Sequence, residues 1–172
     1  DENPVPLHAP RFQGNEKEYL VDCIDTTYVS YVGGYVTRFE EQICAFTGAE
    51  HAIAVCSGTA ALHMALLLAG VQPGDEVITQ PLTFVATANA IVHCGAQPVF
   101  VDVERVTLGL DPERLAHFLE KETVDHSDGH LRNRASGRRV AACVPMHTFG
   151  HPARIDDIID VCVKYRIPVI ED

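Results

Sequence analysis

The chain has 172 residues, of which 47% are hydrophobic and 22% charged, with 13 Lys plus Arg against 24 Asp plus Glu. Apolar runs recur along the whole length, which excludes a disordered chain. The formal net charge of -11 argues against nucleic acid as a partner, because most of the surface would repel a phosphate backbone. The most apolar stretch, 59–71, is interrupted by His63 and is too short to span a bilayer, so no membrane association is expected.

The six cysteines lie far apart in apolar or helical settings, with no close pair that would indicate a metal site. We interpret them as buried thiols of a reducing compartment, and we expect a cytoplasmic protein without a bound metal. The amino terminus, 1–4, has neither a basic region nor an apolar segment, which indicates no signal peptide in this sequence. It also lacks an initiator Met, so we expect a processed or cut chain.

Two helices are predicted in an N-terminal helical segment, 1–50. Apolar residues recur at helical spacing over 19–24 and again over 36–46. Gly48 is expected to end the second helix, since glycine readily adopts the left-handed conformation that follows a helix.

From residue 51 onward, short apolar runs alternate with amphipathic segments, which is typical of alternating strands and helices. Runs such as 53–56 and 99–101 are continuously apolar, which favours parallel strands covered on both faces. We therefore predict that 51–172 forms a three-layer α/β/α arrangement with a mainly parallel sheet. The predicted strands are 52–56, 76–79, 98–102, 140–146 and 167–170, and the predicted helices are 59–69, 84–94, 112–120 and 155–165.

The segment 123–139 interrupts this alternation and has almost no large apolar residue. We expect a solvated loop or an exposed hairpin, inserted between a helix and a strand and unable to pack as a core element. Its arginines 132, 134, 138 and 139 are compatible with an anionic ligand but do not by themselves indicate one.

The last predicted strand, 167–170, is followed at once by Glu171 and Asp172. Carboxyl ends of parallel strands are where α/β proteins place their ligand chemistry, so the sequence stops at the expected floor of a site. We interpret the chain as an N-terminal fragment.

Ser57, Gly58, Thr59 and Ala60 lie between an apolar run and a strongly helical one. Such a turn directs N–H groups, hydroxyls and the positive end of a helix dipole to one point, which suits a phosphate. An ordinary helix N-cap explains the same residues equally well. A nucleotide-binding P-loop or a dinucleotide-binding turn fits less well, because Gly58 stands alone where those motifs need several glycines.

Three further residues follow predicted strands. Phe84, at a strand-to-helix junction, has a ring suited to lie over a planar ligand, although core packing is the simpler interpretation. His147 has ring nitrogens suited to a ligand substituent, but a structural histidine is the commoner case. Asp172 has apolar neighbours in sequence and is suited to pair with a buried cation, with helix capping as the alternative.

An ordered series of motifs extends from about Pro6 to Asp172: SGTAALHMAL, GDEVITQPLTFVATANAI, GAQPVFVDV, VPMHTFGHPARIDDI and IPVIED. In this order and at these separations, they resemble the DegT/DnrJ/EryC1/StrS family of pyridoxal-phosphate-dependent nucleotide-sugar aminotransferases. The opening LHAPRFQGNEKEYL and the insertion before CVPMHTFGHP look most like members that aminate a 4-keto-6-deoxy nucleotide sugar on the way to legionaminic-type sialic acids.

The resemblance implies a truncated fold type I aminotransferase large domain with pyridoxal phosphate as cofactor. Gly58, Thr59 and Ala60 match the turn that holds the cofactor phosphate. Phe84 matches the aromatic residue stacked on the pyridine ring, and Asp172 matches the acid that keeps the ring nitrogen protonated. Thr87 and His147 lie in matching segments near the cofactor.

The family's Schiff-base lysine lies downstream of IPVIED and is therefore not in this chain, and the family's C-terminal domain is absent as well. The three lysines present are Lys17, Lys121 and Lys164, and none follows a predicted strand at the expected cofactor face. In the family a second subunit completes the active site, so the resemblance also implies a homodimer.

The function expected for the intact protein is transfer of an amino group, usually from glutamate in this family, to a keto carbon of a nucleotide sugar. A sugar dehydratase with histidine in place of the lysine is an alternative, and only the downstream residue distinguishes the two. A non-catalytic fragment that needs a partner chain is a third possibility. Generic dinucleotide binding is the fourth.

Overall fold

The computed structural model describes residues 9–172. The amino terminus at 1–4 and the start of the family resemblance at Pro6 lie outside these residues. The chain divides into two compact units, Asp1–Ala54 and Val55–Asp172. The domain boundary expected after residue 50 stays a prediction.

The described part of the first unit consists of two helices, α1 Glu16–Asp25 and α2 Gly34–Thr47, and both were predicted from the apolar spacing. Gly48 follows α2 with a φ of 76°, the left-handed conformation expected at a helix end. Neither helix has a buried residue. The helices are amphipathic in sequence, yet their apolar faces are exposed.

The segment 52–56 was predicted to be a strand, and this prediction is wrong. These residues belong to no strand, and the Ile53 side chain is 80% exposed. An extended segment becomes a strand only when a neighbour satisfies its N–H and C=O groups, and within the described residues no strand pairs with this one. The Ala54 N–H instead donates to Glu40 Oε1 at 2.8 Å.

The second unit is built on a parallel sheet, as predicted. Its three strands are β1 (Glu76–Thr79), β2 (Gln97–Phe100) and β5 (Val140–Val144). They lie in the order β2-β1-β5, and all neighbours are parallel. The predicted strand 167–170 contributes one parallel bridge, between Val169 and Cys143, on the outer side of β5. The elements of this unit are α3 Gly58–Leu68, β1 Glu76–Thr79, α4 Val85–His93, β2 Gln97–Phe100, α5 Pro112–Glu122, β3 Thr123–Asp125, β4 Leu131–Asn133, β5 Val140–Val144, a short 3-10 helix Thr148–Gly150, and α6 Ile155–Lys164.

The sheet separates two hydrophobic cores. Successive residues of a strand point to opposite faces, so Val77 packs with α3 and α4 whereas Ile78 packs with α5 and α6. Ala142 and Cys143 divide in the same way on β5. The result is the expected arrangement of helices on both faces of a parallel sheet.

The insertion forms an exposed hairpin, β3 paired antiparallel with β4, which was one of the two expected outcomes. The expectation that it contributes nothing to the core is wrong. Leu131 is 6% exposed and belongs to the core beneath α5 and α6. The base of the hairpin is also held by Asn133, whose Nδ2 donates to Glu76 Oε2 at 2.8 Å. Apolar and amide contacts therefore attach the hairpin to the amino end of β1.

Two of the insertion's arginines form ion pairs with aspartates of this chain. Arg132 Nη2 contacts Asp128 Oδ2 at 2.7 Å. Arg139 forms an ion pair with Asp75 and donates to the Gly70 carbonyl oxygen at 2.6 Å, and the hydrogen bond with Asp75 raises the pKa of Arg139. Because Arg139 directly precedes β5, this contact places the carboxyl end of α3 at the amino edge of the sheet.

Candidate active site

Asp172 is held at the carboxyl edge of the sheet by its own backbone. Its N–H donates to the Pro145 carbonyl oxygen at 3.0 Å, and its carbonyl oxygen accepts from the His147 N–H at 2.9 Å. One carboxylate oxygen, Oδ2, accepts a hydrogen bond from the Thr87 hydroxyl. The carboxylate therefore lies between the end of β5 and the first turn of α4.

Phe84 lies at the same edge. It is the N-cap residue of α4, one turn before Thr87, and its side chain is 74% exposed. The structure therefore does not place this ring in the core, which was the simpler interpretation of the sequence. An aromatic residue open to solvent, at the start of the helix whose Thr87 contacts Asp172, suits a planar, positively charged ring.

The turn at the start of α3 points toward this edge as well. The carboxyl end of α3 lies at the amino edge of the sheet, through the contact between Arg139 and Gly70, so its amino end is directed to the carboxyl edge. Ser57 is the N-cap, and its Oγ accepts from the Ala60 N–H at 3.2 Å. Among the described residues, the N–H groups of Gly58 and Thr59 have no acceptor.

Gly58 fits the approach of a ligand. A Cβ built on Gly58 meets no protein atom within 4 Å, so neither packing nor a positive φ requires glycine there. Open space, free N–H groups and the positive end of an 11-residue helix suit a phosphate group. The capping explanation for Ser57 is also correct, since one side chain caps the helix while the neighbouring N–H groups stay free.

His147 is tied to the protein through both ring nitrogens. Nδ1 accepts from the Ala153 N–H at 3.0 Å, and Nε2 lies 3.0 Å from Glu171 Oε2. A nitrogen that accepts from an N–H carries no proton, so the proton is on Nε2 and is donated to Glu171. Only the face of the imidazole ring remains for a ligand.

Sequence reasoning missed Gln80, which is fully buried beneath the site. Its Nε2 lies 2.9 Å from the Leu82 carbonyl oxygen and 2.9 Å from Thr148 Oγ1, and its Oε1 accepts from the Met146 N–H at 3.2 Å. Gln80 thus connects the loop after β1 to the loop after β5. The sequence feature that could have identified Gln80 is its position, because it places an amide side chain directly after an apolar strand.

The lysines of the second unit lie away from this edge. Lys121, in the last turn of α5, is exposed and contacts Glu120 at 2.6 Å, and Lys164 is exposed in the last turn of α6. Lys17 is exposed on α1 in the other unit. Within Val55–Asp172, therefore, no lysine lies beside Asp172.

Over residues 9–172, no cluster of three or more His, Cys, Asp or Glu side chains is arranged to hold a metal ion. A search of the same residues for a helix long and apolar enough to cross a bilayer also found none.

A parallel sheet covered by helices on both faces, with a carboxylate, an exposed aromatic residue and a helix amino terminus at its carboxyl edge, is typical of ligand-binding α/β proteins. Residues 10–172 match the model of the DegT/DnrJ/EryC1/StrS aminotransferase family, and the chain belongs to that family. Members of this family depend on pyridoxal phosphate.

Individual relatives agree with this assignment. GDP-perosamine synthase from Caulobacter vibrioides is 38% identical over 98% of this chain and 41% of its own length. The aminotransferase from Psychrobacter cryohalolentis superposes with a TM-score of 0.80 at 31% identity, over 95% of this chain and 37% of that one. NtdA from Bacillus subtilis, solved with bound cofactor PMP, gives a TM-score of 0.70 at 25% identity, over 92% and 33% of the two chains. The chain thus spans about 41% of the length of the curated relative.

Proposed function

We propose that the complete protein carrying this chain is a pyridoxal-phosphate-dependent aminotransferase that aminates a 4-keto-6-deoxy nucleotide sugar, with glutamate as the donor. Family membership and the similarity to GDP-perosamine synthase support this proposal. The observation that carries it is the convergence of the Asp172 carboxylate, the exposed Phe84 ring and the amino end of α3 at one edge of the sheet.

Each of these groups has a proposed role toward the cofactor. The turn Ser57–Ala60 binds the phosphate through free N–H groups and the helix dipole. Phe84 stacks on the ring, and Asp172 holds a proton on the ring nitrogen by accepting a charge-assisted hydrogen bond. The bound cofactor supplies an electron sink and carries the amino group from donor to acceptor. Thr87 and His147 lie beside Asp172 and Glu171 and shape the floor of the site.

The family resemblance supports a homodimer. The cytoplasmic location rests on the cysteines, of which Cys94, Cys143 and Cys162 are buried as expected, whereas Cys56 is exposed. Both remain part of the proposal. We further propose that the 172-residue chain is inactive alone, because an amine must lie over the cofactor and no lysine of Val55–Asp172 lies near Asp172. Borohydride reduction of the chain with pyridoxal phosphate, followed by peptide mapping, tests this point. Stoichiometric labelling of one lysine, together with turnover of a keto sugar, would contradict it.

The activity is tested by incubating the complete protein with a nucleotide-linked 4-keto-6-deoxy sugar and ¹⁵N-glutamate. We expect an amino sugar that carries ¹⁵N, detected by mass spectrometry. Asp172→Asn should lower the rate by roughly 10²–10³, which is typical when one electrostatic partner of the reacting group is removed. Asp160→Asn makes the same chemical change at an exposed position on α6 and should leave the rate unchanged.

Two results would contradict the proposal. One is loss of water from the sugar without uptake of ¹⁵N, which is the expected outcome for a dehydratase. The other is an Asp172→Asn protein that transfers nitrogen as fast as the wild type.

A further inference from the structure

The hydroxyl groups of Thr83 and Thr87 form a chain that ends on the Asp172 carboxylate. Thr87 Oγ1 contacts Asp172 Oδ2, and Thr83 Oγ1 lies 2.7 Å from Thr87 Oγ1. Thr83 Oγ1 also lies 3.0 Å from the sulfur of Met146, in the loop after β5. Three segments that are distant in sequence therefore meet at these hydroxyls.

The direction of this chain follows from proton counting. An ionised carboxylate only accepts, so the single hydroxyl proton of Thr87 is donated to Asp172. With that proton engaged, Thr87 Oγ1 can only accept from Thr83, and the Thr83 proton is therefore directed to Thr87. The order of donation is Thr83 to Thr87 to Asp172.

The Thr87 hydroxyl is positioned to donate to Asp172 and does not stabilise its own helix. It is 1% exposed, and its hydroxyl bonds outward to Asp172 instead of to a carbonyl of its own helix. Together with the two backbone hydrogen bonds of Asp172, this contact holds both the main chain and one carboxylate oxygen in place. Among the described residues, the other oxygen, Oδ1, has no hydrogen-bond donor.

We propose that Thr87, supported by Thr83, is a positioning residue that occupies Asp172 Oδ2 and leaves Oδ1 directed toward the ring nitrogen of the cofactor. This inference rests on the proposed function, because it assigns Asp172 the role of cofactor partner. It gives Thr87 a role through Asp172, whereas the family resemblance placed Thr87 only in a segment near the cofactor.

The test uses pyridoxamine phosphate, which requires no lysine for binding, and the complete apo-protein in calorimetric titrations. Thr87→Val keeps the shape of the side chain but removes the donor. We expect it to weaken binding by about 10-fold to 100-fold, as is typical for residues that orient a ligand group from behind. Thr87→Ser keeps the hydroxyl and should bind nearly as tightly as the wild type.

A spectroscopic measurement separates positioning from folding. With ¹⁵N-labelled pyridoxamine phosphate, the ring nitrogen should lose its proton at a lower pH in Thr87→Val than in the wild type or in Thr87→Ser. The matched control is Thr79→Val, which removes a buried hydroxyl that donates to the Val144 carbonyl oxygen at 2.8 Å. We expect Thr79→Val to leave both the affinity and the ring-nitrogen titration unchanged.

Should Thr87→Val fail to fold, Thr83→Val provides the second test, with a smaller loss of affinity in the same direction. Wild-type affinity in Thr87→Val, or equal losses in Thr87→Val and Thr79→Val, would overturn the inference while leaving the proposed function in place. If the wild type itself does not bind pyridoxamine phosphate, the proposed function fails, and the inference fails with it.

Discussion

Gly58 is a glycine that neither the backbone nor the packing requires, since its φ is not positive and a Cβ there meets no atom within 4 Å. Its small size leaves open space beside the free N–H groups of this turn, which suits the phosphate proposed to bind there. This distinguishes Gly58 from Gly95, where φ is 71° and a Cβ would lie 3.0 Å from Pro73.

We predict that Gly58→Ala leaves stability unchanged or raises it by up to about 1 kcal/mol, because alanine favours a helix more than glycine does. The same methyl group should lower the affinity for pyridoxamine phosphate by about tenfold, or about 1.4 kcal/mol. Thermal unfolding of the apo-protein and calorimetric titration measure the two effects. Gly34→Ala, at the first position of α2 and equally free of neighbours, is the control and should change stability only.

Phe84 should behave as a binding residue and not as a core residue. Since Phe84 is 74% exposed, Phe84→Ala should change the free energy of unfolding of the apo-protein by less than about 0.5 kcal/mol. The loss of stacking should cost about 0.5–1.5 kcal/mol of cofactor affinity. Phe46→Ala, at another exposed phenylalanine, should leave this affinity unchanged. A destabilised apo-protein with normal affinity would show instead that the ring belongs to the core.

At the scale of elements, Gln80 joins the loops after β1 and β5, and the site depends on both loops. Gln80→Leu removes the acceptor of the partly buried Met146 N–H and the donor to the Leu82 carbonyl oxygen, whereas the Thr148 hydroxyl keeps its hydrogen bond to the Leu108 carbonyl oxygen. We predict a loss of roughly 2–4 kcal/mol in the free energy of unfolding, because each orphaned buried group costs about 1–3 kcal/mol. Gln97→Leu, at an exposed position on β2, is the matched control and should change stability by less than about 0.5 kcal/mol. Equal urea midpoints for the two variants would contradict this role.

The hairpin β3–β4 shows how an element can be polar on average and still contribute to the core. Most of its residues are solvated, but Leu131 is buried and Asn133 is hydrogen-bonded to Glu76. From the sequence alone, the average composition of a segment is used to predict whether it packs in the core. Its actual packing depends on the few residues that contact a neighbouring element, here Leu131 and Asn133.

At the scale of the whole molecule, the thiol of Cys143 makes stability depend on pH. The neighbouring Cys162 side chain and complete burial raise the pKa of Cys143 well above its ordinary value. The folded state therefore keeps the proton to a higher pH than the unfolded chain does. The resulting stabilisation is fully present below the unfolded thiol pKa of about 8.5 and is lost progressively as the pH rises above it.

We predict that the urea midpoint of the complete protein, followed by far-UV circular dichroism, falls as the pH increases above about 8.5. Cys143→Ala should reduce the slope of this fall, since one group that binds its proton more tightly in the folded state has been removed. The cavity that alanine leaves lowers the urea midpoint by the same amount at every pH. It therefore does not change the slope of the midpoint against pH, which is the quantity compared. An identical slope in both proteins would mean that another group causes the alkaline loss of stability.

The sequence by itself determined the helices and the parallel character of the sheet, because both follow from the pattern of apolar residues within a short stretch of chain. Apolar spacing predicted α1 to α6 to within a few residues, and continuous apolar runs predicted β1, β2 and β5. Local chemistry also marks the element ends, as at α5, where Asp111 caps the helix and accepts from the N–H of Glu113 at 2.8 Å.

The tertiary structure alone decided which polar groups meet. The contacts of Thr87 with Asp172, 85 positions apart, and of Gln80 with Thr148, 68 positions apart, depend on the topology of the sheet and leave no periodic signal. The same reason explains the error at 52–56, where the apolar pattern of a strand is present but no strand among residues 9–172 pairs with it. A side chain's neighbours in sequence set its helix or strand preference, whereas its hydrogen-bond partners are set by the segments that packing brings beside it.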